Sequence, residues 1–427
     1  MLRASKPEMP IRSLLGPYRV HVGQRTRIAV LAAALLLAGA CATPDPRFVV
    51  RGEIHGFPFQ GTTDSEQSQA LLQRMLEESG RVPAAGVRSI RLDQGEPAGP
   101  PDRDALQRLS RQYSHDLATL VFAQQVLSLE PNRRAQALYL TNLARVQADP
   151  EVAGREISRA AAGYSFVFAP AWLYRSRPWN GADFRRPRQF LEANGIQTEL
   201  LDLPEDGVVE DNAALIATAL RQPAAPGRKR ILVSTSKSGV EVALAAGGLL
   251  GPEELASVAA WINIGGLIQG TPLVDLGLNS WQTPLVRFWF TLKGWNWAGV
   301  ESMATPIRRA RFATLRFPAH LVIVNLVGVP LSGDMTFYSR PGSALLERFG
   351  PNDGVALLAD QIVPGGLTVL QPGADHYFDL PDMDLRALAL VKSVLDLVTT
   401  GTRRPETAGA GGAPALRFEP GDPGANQ

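Results

Sequence analysis

In the stretch ILVSTSKSG (Ile231–Gly239), an apolar run gives way to a helix-like segment through three serines, a threonine, a lysine and a glycine. A serine hydroxyl attacks a carbonyl only when a base removes its proton. A sharp strand-to-helix turn, usually written G-x-S-x-G, is one way to push such a serine out of the chain. The residues two before and two after it must be small, because strand and helix come close together there. Ser234 and Ser238 fill those positions around Ser236, and Gly239 adds room. Serine replaces both glycines and the size requirement is kept, so Ser234 and Ser238 read as spacers. The plain alternative is a turn that needs small residues for packing alone.

A base must follow, and His376 in LTVLQPGADHYFDLP stands just past a short apolar run and a glycine loop. His320, in PAHLVIVNL, begins a strand and reads as structural, as do the isolated His55 and His115. The imidazole needs a buried carboxylate to hold its tautomer and stabilise its charged form. Asp353 in FGPNDGVALLADQIVPGG lies 23 residues before His376. Asp334 in PLSGDMTF follows the LVIVNLVGV run more closely than Asp353 does and is the alternative acid. Asp375 adjoins the histidine and is badly placed to reach back to its ring.

The elements that would position these residues are short apolar runs: YSFVFAPAW, TELLDLP, RKRILVSTS, VAAWINIGG, AHLVIVNLVGVP and GLTVLQPG. Most are separated by helix-length segments, which predicts a mostly parallel sheet buried on both faces by helices. Ligands of such open α/β sheets bind beyond the carboxyl ends of the strands. Upstream, residues 63–160 predict a helical region. Leu71, Leu72, Met75 and Leu76 mark one helix, a second runs from Asp102 to Pro131 and a third ends at Pro150.

The order Ser236, Asp353, His376, each after a separate strand, resembles the α/β-hydrolase superfamily from about residue 163 to 400. The segments SFVFAPAW…RPRQFLEANGIQTELLDLPEDG, INIGGLIQGTPLVDL, PNDGVALLADQIVPGG and PGADHYF are similar to its successive strands and loops. The resemblance implies that Ser236 is the nucleophile, His376 the general base and then acid, and Asp353 the orienting carboxylate. It also implies an oxyanion hole made by the backbone N–H of Lys237 and one from Ala171 or Trp172. The FAPAWLYRS segment lacks the His-Gly pair common there, and the Lys237 side chain reads as solvated. Residues 270–318 hold Trp281, Phe288, Trp289, Phe290, Trp295 and Trp297, and match in place the insertions that cap the site of lipase-like members. These aromatics would line an apolar pocket, pack the insertion onto the domain, or do both.

Residues 1–40 carry six basic side chains and one acid, so the remainder holds 37 basic against 40 acidic residues. No basic run survives there, and nucleic-acid binding has no electrostatic footprint. Arg25 and Arg27 precede an apolar run from Ile28 to Leu37, too short for a membrane span of roughly 20 residues. LAGAC then resembles a bacterial lipoprotein box, with Cys41, the one cysteine, as the lipidated residue and Ala42 favouring the outer membrane. An ordinary secretory signal cut near Ala40 is the alternative. The expected organisation is a signal over 1–40, a tether over 41–62, the helical region over 63–160, the α/β-hydrolase domain over 161–400 and a disordered tail over 401–427. The expected protein is a periplasm-facing serine hydrolase of the cell envelope, lipid-anchored and acting on a small-molecule or lipid ester. No metal-spaced His/Cys cluster or phosphate-binding glycine loop occurs, so no cofactor or metal is expected. A hydrolase fold kept only for binding is the rival, with residues 63–160 as the surface for an unidentified protein partner. An amidase or thioesterase would use the same residues.

Overall fold

A computed structural model of the chain describes residues 48–54, 57–79 and 101–401. The signal, Cys41, His55 and residues 402–427 lie outside the described residues. Two strands, β1 (Phe48–Ile54) and β2 (Phe57–Thr63), pair antiparallel where a tether was expected. Short-period alternation is weak in FVVRGEI, and Gly and Pro mask it in FPFQGTT. Tertiary packing makes the hairpin: Val50 is buried in a cluster with Leu71, Leu72 and Leu76 of α1 (Glu66–Ser79) and Leu331.

The long helix expected over 102–131 is two, α2 (Arg103–Gln112) and α3 (His115–Ser128). Ser114 interrupts it in extended conformation, and its hydroxyl accepts from the Leu117 N–H at 3.0 Å, an N-cap worth about 1 kcal/mol. Next come α4 (Glu130–Ala148) and α5 (Pro150–Ala160), with Asp149 capping the second.

The six apolar runs form one parallel sheet in the order β4-β3-β5-β6-β7-β8. Its strands are β3 (Tyr164–Ala169), β4 (Thr198–Leu200), β5 (Lys229–Thr235), β6 (Val258–Ile264), β7 (Val322–Val329) and β8 (Leu367–Pro372). Every residue of β7, VIVNLVGV, is buried, as expected of a strand covered on both faces. Its polar Asn325 is satisfied inside the core, accepting from Asn263 Nδ2 and the Val363 N–H at 3.1 Å each.

The helices that alternate with these strands are α6 (Arg185–Ala193), α7 (Val209–Arg221) and α8 (Lys237–Leu244). Residues 270–318 supply α9 (Pro272–Leu278), α10 (Thr283–Lys293), α11 (Trp297–Glu301) and α12 (Thr305–Phe312). After β7 come α13 (Arg340–Leu346) and the final α14 (Met383–Thr399). One face of the sheet packs on α4, α5 and α14 through Tyr139, Leu143, Ile157, Leu388 and Val394. The other packs on α7 and α8 through Ala213, Ile216, Leu220, Val242 and Ala243.

The helices before residue 160 are therefore a layer of the sheet domain. α4 also closes the open edge of β8. Asn132 Oδ1 accepts from the Thr368 N–H at 2.9 Å, Gln136 Oε1 accepts from the Leu370 N–H at 2.8 Å, and Gln136 Nε2 donates to the Leu370 carbonyl at 3.1 Å. Two amide side chains thus stand in for a neighbouring strand on an edge that would otherwise leave buried backbone groups unpaired.

Candidate active site

β5 ends at Thr235 and α8 begins at Lys237, so Ser236 alone makes the turn, at φ 51° and ψ −126°. Non-glycine backbone in such a region costs about 1–3 kcal/mol and persists only where its surroundings over-determine it. The Ser236 N–H donates to the Ile264 carbonyl at 3.3 Å, and its own carbonyl accepts from Gly239 at 3.0 Å and Leu267 at 2.9 Å. A Cβ at Gly239 would lie 2.7 Å from the Cα of Gly266, which explains the glycine. The flanking serines do more than save space. Ser238 Oγ donates to the Ala169 carbonyl at 2.6 Å and accepts from the Thr235 N–H at 3.0 Å, and Ser234 Oγ accepts from the Trp261 indole at 2.8 Å. Each hydroxyl ties the turn or its strand to a neighbouring strand.

The loops after β7 and β8 bring the expected partners to the half-buried Ser236. His376 Nε2 lies 3.0 Å from Ser236 Oγ, and its Nδ1 lies 2.8 Å from Asp353 Oδ2. Asp353 is fully buried. Its Oδ1 accepts from the Val355 and Ala356 N–H groups at 2.9 and 2.8 Å, and Oδ2 accepts from Gln361 Nε2 at 2.9 Å. The His376 N–H donates to the Asp353 carbonyl at 3.0 Å, joining the two loops directly. Burial pulls the imidazole pKa down, but the charge and hydrogen bond of Asp353, with the Asp375 charge, lift it above the ordinary value overall.

Asp334 takes no part in this chain of contacts. Its Oδ2 accepts from the Leu331 N–H at 2.9 Å, and burial, with the Asp375 charge, pushes its pKa up to about 6. Asp375 Oδ2 accepts from the Thr336 N–H at 2.9 Å and its Oδ1 from the Tyr377 N–H at 3.0 Å. His115, buried, has no hydrogen-bond partner at either ring nitrogen among the described residues, and burial pushes its pKa down to about 4.

The backbone N–H groups of Lys237 and Trp172 donate no hydrogen bond among the described residues, whereas that of Ala171 is taken by the Ala182 carbonyl at 3.0 Å. The Ala171 N–H is therefore occupied, and of the two expected donors in this turn only that of Trp172 is left for an oxyanion. The Lys237 side chain is buried, against expectation. It pairs with Glu241 one turn along α8, and Glu241 also accepts from Asn212 Nδ2 at 2.8 Å. The i,i+4 spacing allows this pair, but only tertiary packing takes it out of water.

The Trp172 indole stacks on Phe290 of α10 at 6.3 Å and meets Trp295 edge-on at 6.4 Å. Trp289 and Trp297 complete the cluster around Phe290. Trp281, Leu285, Phe288 and Leu292 instead face solvent. Sequence reasoning missed Gln361, the amide on Asp353. The only signal was a polar residue inside an apolar run, DQIVPGG.

No protein-family model matches the chain, and no curated protein matches it by sequence. Among solved structures it is similar to a metagenomic carboxyl esterase, with 22% identity over 56% of this chain and 76% of that one, at a TM-score of 0.46. A Bacillus licheniformis lipase in mature form is 26% identical over 50% of this chain and 85% of its own, at 0.42. Lipase 1 from Pelosinus fermentans is 15% identical over 56% and 98%, at 0.38. The parallel order β4-β3-β5-β6-β7-β8, with a serine forced to positive φ between β5 and α8, is the α/β-hydrolase fold, and the chain belongs to that fold class.

Proposed function

We propose that the protein hydrolyses a carboxylic ester by transferring its acyl group to Ser236 and then to water. One observation carries this reading: a hydroxyl on a positive-φ turn lies 3.0 Å from His376 Nε2, while the same ring's Nδ1 lies 2.8 Å from a fully buried carboxylate. With Nδ1–H donating to Asp353, Nε2 accepts the Ser236 proton as Oγ bonds to the ester carbonyl carbon. Charge on the carbonyl oxygen is received by the Lys237 and Trp172 N–H groups, and losing one such donor costs about 10²–10³ in rate. His376 then returns the proton to the departing alkoxide. Water repeats the cycle on the acyl-serine, and the acid leaves as Ser236 regains its proton.

An apolar acyl group fits best. The Trp172, Phe290 and Trp295 rings stand beside the proposed donor turn, and α10 adds an exposed apolar stripe with the cations Arg287 and Lys293 and no acid. We further propose that Cys41 anchors the protein in the cell envelope, as its LAGAC setting implies. Metabolic labelling with an alkyne fatty acid, lost in Cys41→Ala, tests that point.

The activity is tested with a fluorophosphonate probe and p-nitrophenyl esters from acetate to laurate. The expected result is a label on Ser236, absent in Ser236→Ala and His376→Ala, and a kcat/KM that rises with acyl length. A folded protein that takes no label and turns over no ester would instead be a binding module on a hydrolase fold.

A further inference from the structure

The turn carrying Trp172 leaves the end of β3 without the His-Gly pair that often shapes it, yet it is sharply bent. Leu173 has φ 56°, in the left-handed region where a branched side chain is strained. What holds it there is the stretch after β4, Asp202–Gly207. The Leu173 N–H donates to the Glu205 carbonyl at 3.0 Å. The Arg175 and Ser176 N–H groups converge on Glu205 Oε2 at 2.8 Å each, and the Ser176 hydroxyl reaches Oε1. The Tyr174 hydroxyl donates to the Leu203 carbonyl at 3.1 Å. Residues 173–176 are thus each tied to this one stretch. Burial raises the Glu205 pKa, but the hydrogen bonds from Ser176 and Arg175 bring it below the usual carboxylate value overall, so the group is ionised at neutral pH.

The same stretch grips the cap. Asp206 Oδ2 accepts from the Asn296 N–H at 2.7 Å, at the start of α11, and a Cβ on Gly299 would lie 2.1 Å from the Asp206 carbonyl oxygen.

We propose that Glu205 is a positioning residue for the oxyanion-binding turn: by gathering the N–H groups of Arg175 and Ser176 it holds residues 172–176 in the bend that leaves the Trp172 N–H free for the developing oxyanion. Asp206, beside it, couples that turn to the cap. The inference rests on the acyl-transfer reading of Ser236.

It is tested by comparing Glu205→Ala and Glu205→Gln with the unsubstituted protein in p-nitrophenyl butyrate hydrolysis. A second measurement is inhibition by an aryl trifluoromethyl ketone, whose adduct with Ser236 carries the tetrahedral oxyanion. In Glu205→Ala, kcat is expected to fall about 10²-fold. KM should stay within about threefold, and the inhibition constant of the ketone should rise by the factor that kcat/KM loses. Glu205→Gln keeps an accepting oxygen without the charge and should lose about tenfold, so it carries the test if the alanine variant does not fold. A folded variant with kcat within about twofold, or a loss borne by KM with ketone inhibition unchanged, overturns the positioning role alone. An unsubstituted protein that neither hydrolyses the ester nor labels at Ser236 overturns the acyl-transfer reading and this inference with it.

Discussion

Asp334 and Asp353 both lie in the segment between β7 and β8; Asp353 is fully buried and Asp334 half-buried, and burial alone does not say which of them holds the imidazole. Hydrogen bonds do. Asp353 holds the imidazole, while Asp334 closes its own turn on Leu331. Asp353→Asn should therefore lower kcat by on the order of 10⁴-fold, as loss of the orienting carboxylate does in serine triads. Asp334→Asn should leave kcat within about tenfold, and steady-state kinetics on one soluble ester separate the two outcomes. The pH profile carries a second test. The proposed base, His376, can act only when neutral, and its pKa is raised over the ordinary 6.5 by Asp353 and Asp375 against the pull of burial. Activity should accordingly be lost as pH falls through a midpoint above 6.5. For stability the sign is reversed: a raised folded pKa favours the folded state below the unfolded value, and that contribution disappears as pH rises through the folded value. Residual kcat/KM in Asp353→Asn should show an acid limb shifted to lower pH, and an unshifted limb would remove Asp353 as the source of the raised pKa.

At the scale of elements, the β5–α8 turn concentrates strain on one residue. Ser236, Leu173 and Phe378 all have positive φ, in the turns after β5, β3 and β8. Glycine adopts such backbone without a Cβ penalty, so Ser236→Gly should be inactive yet more stable than Ser236→Ala by about 1 kcal/mol. Thermal unfolding of the two inactive variants measures this, and equal midpoints would mean that the turn is not strained. Gly239 is the opposite case, glycine for closeness rather than φ. There the helix backbone passes so near Gly266 that any side chain must displace one of them.

For the whole molecule, the boundary expected near residue 160 separates no independent body. Tyr139, Leu143 and Ile157 are each only 1% exposed and face the sheet beside Phe166, Val324 and Val369. A chain beginning at residue 161 is expected to lose two of the three helices that cover one face of the sheet, with the closure of β8, and to fail to give soluble protein with a near-ultraviolet circular dichroism signal. A well-packed product would contradict this account. A milder probe is Gln136→Leu, which leaves the Leu370 N–H and carbonyl unpaired. Its expected cost in denaturant unfolding is about 1–3 kcal/mol for each unsatisfied group.

The six strands, their parallel character, the serine and the histidine were legible in the sequence because each is a local signal: a continuous apolar run, a small-residue turn, a polar group in a glycine loop; the acid was legible only as one of two, Asp353 or Asp334, and the fold chose between them. The helices of residues 66–148 were legible for the same reason, through spacing along one chain segment. What the tertiary structure alone decided is whatever depends on two distant segments meeting. It paired residues 48–54 with 57–63 against α1 and joined Ser114, where the long helix breaks, to Ser68. It buried Lys237 against Glu241, gave the Ala171 N–H to Ala182, and set Glu205 on the turn after β3. A hydrogen bond or ion pair across that separation leaves no periodicity to read, since its partners are chosen by the folded geometry and not by their neighbours in the chain.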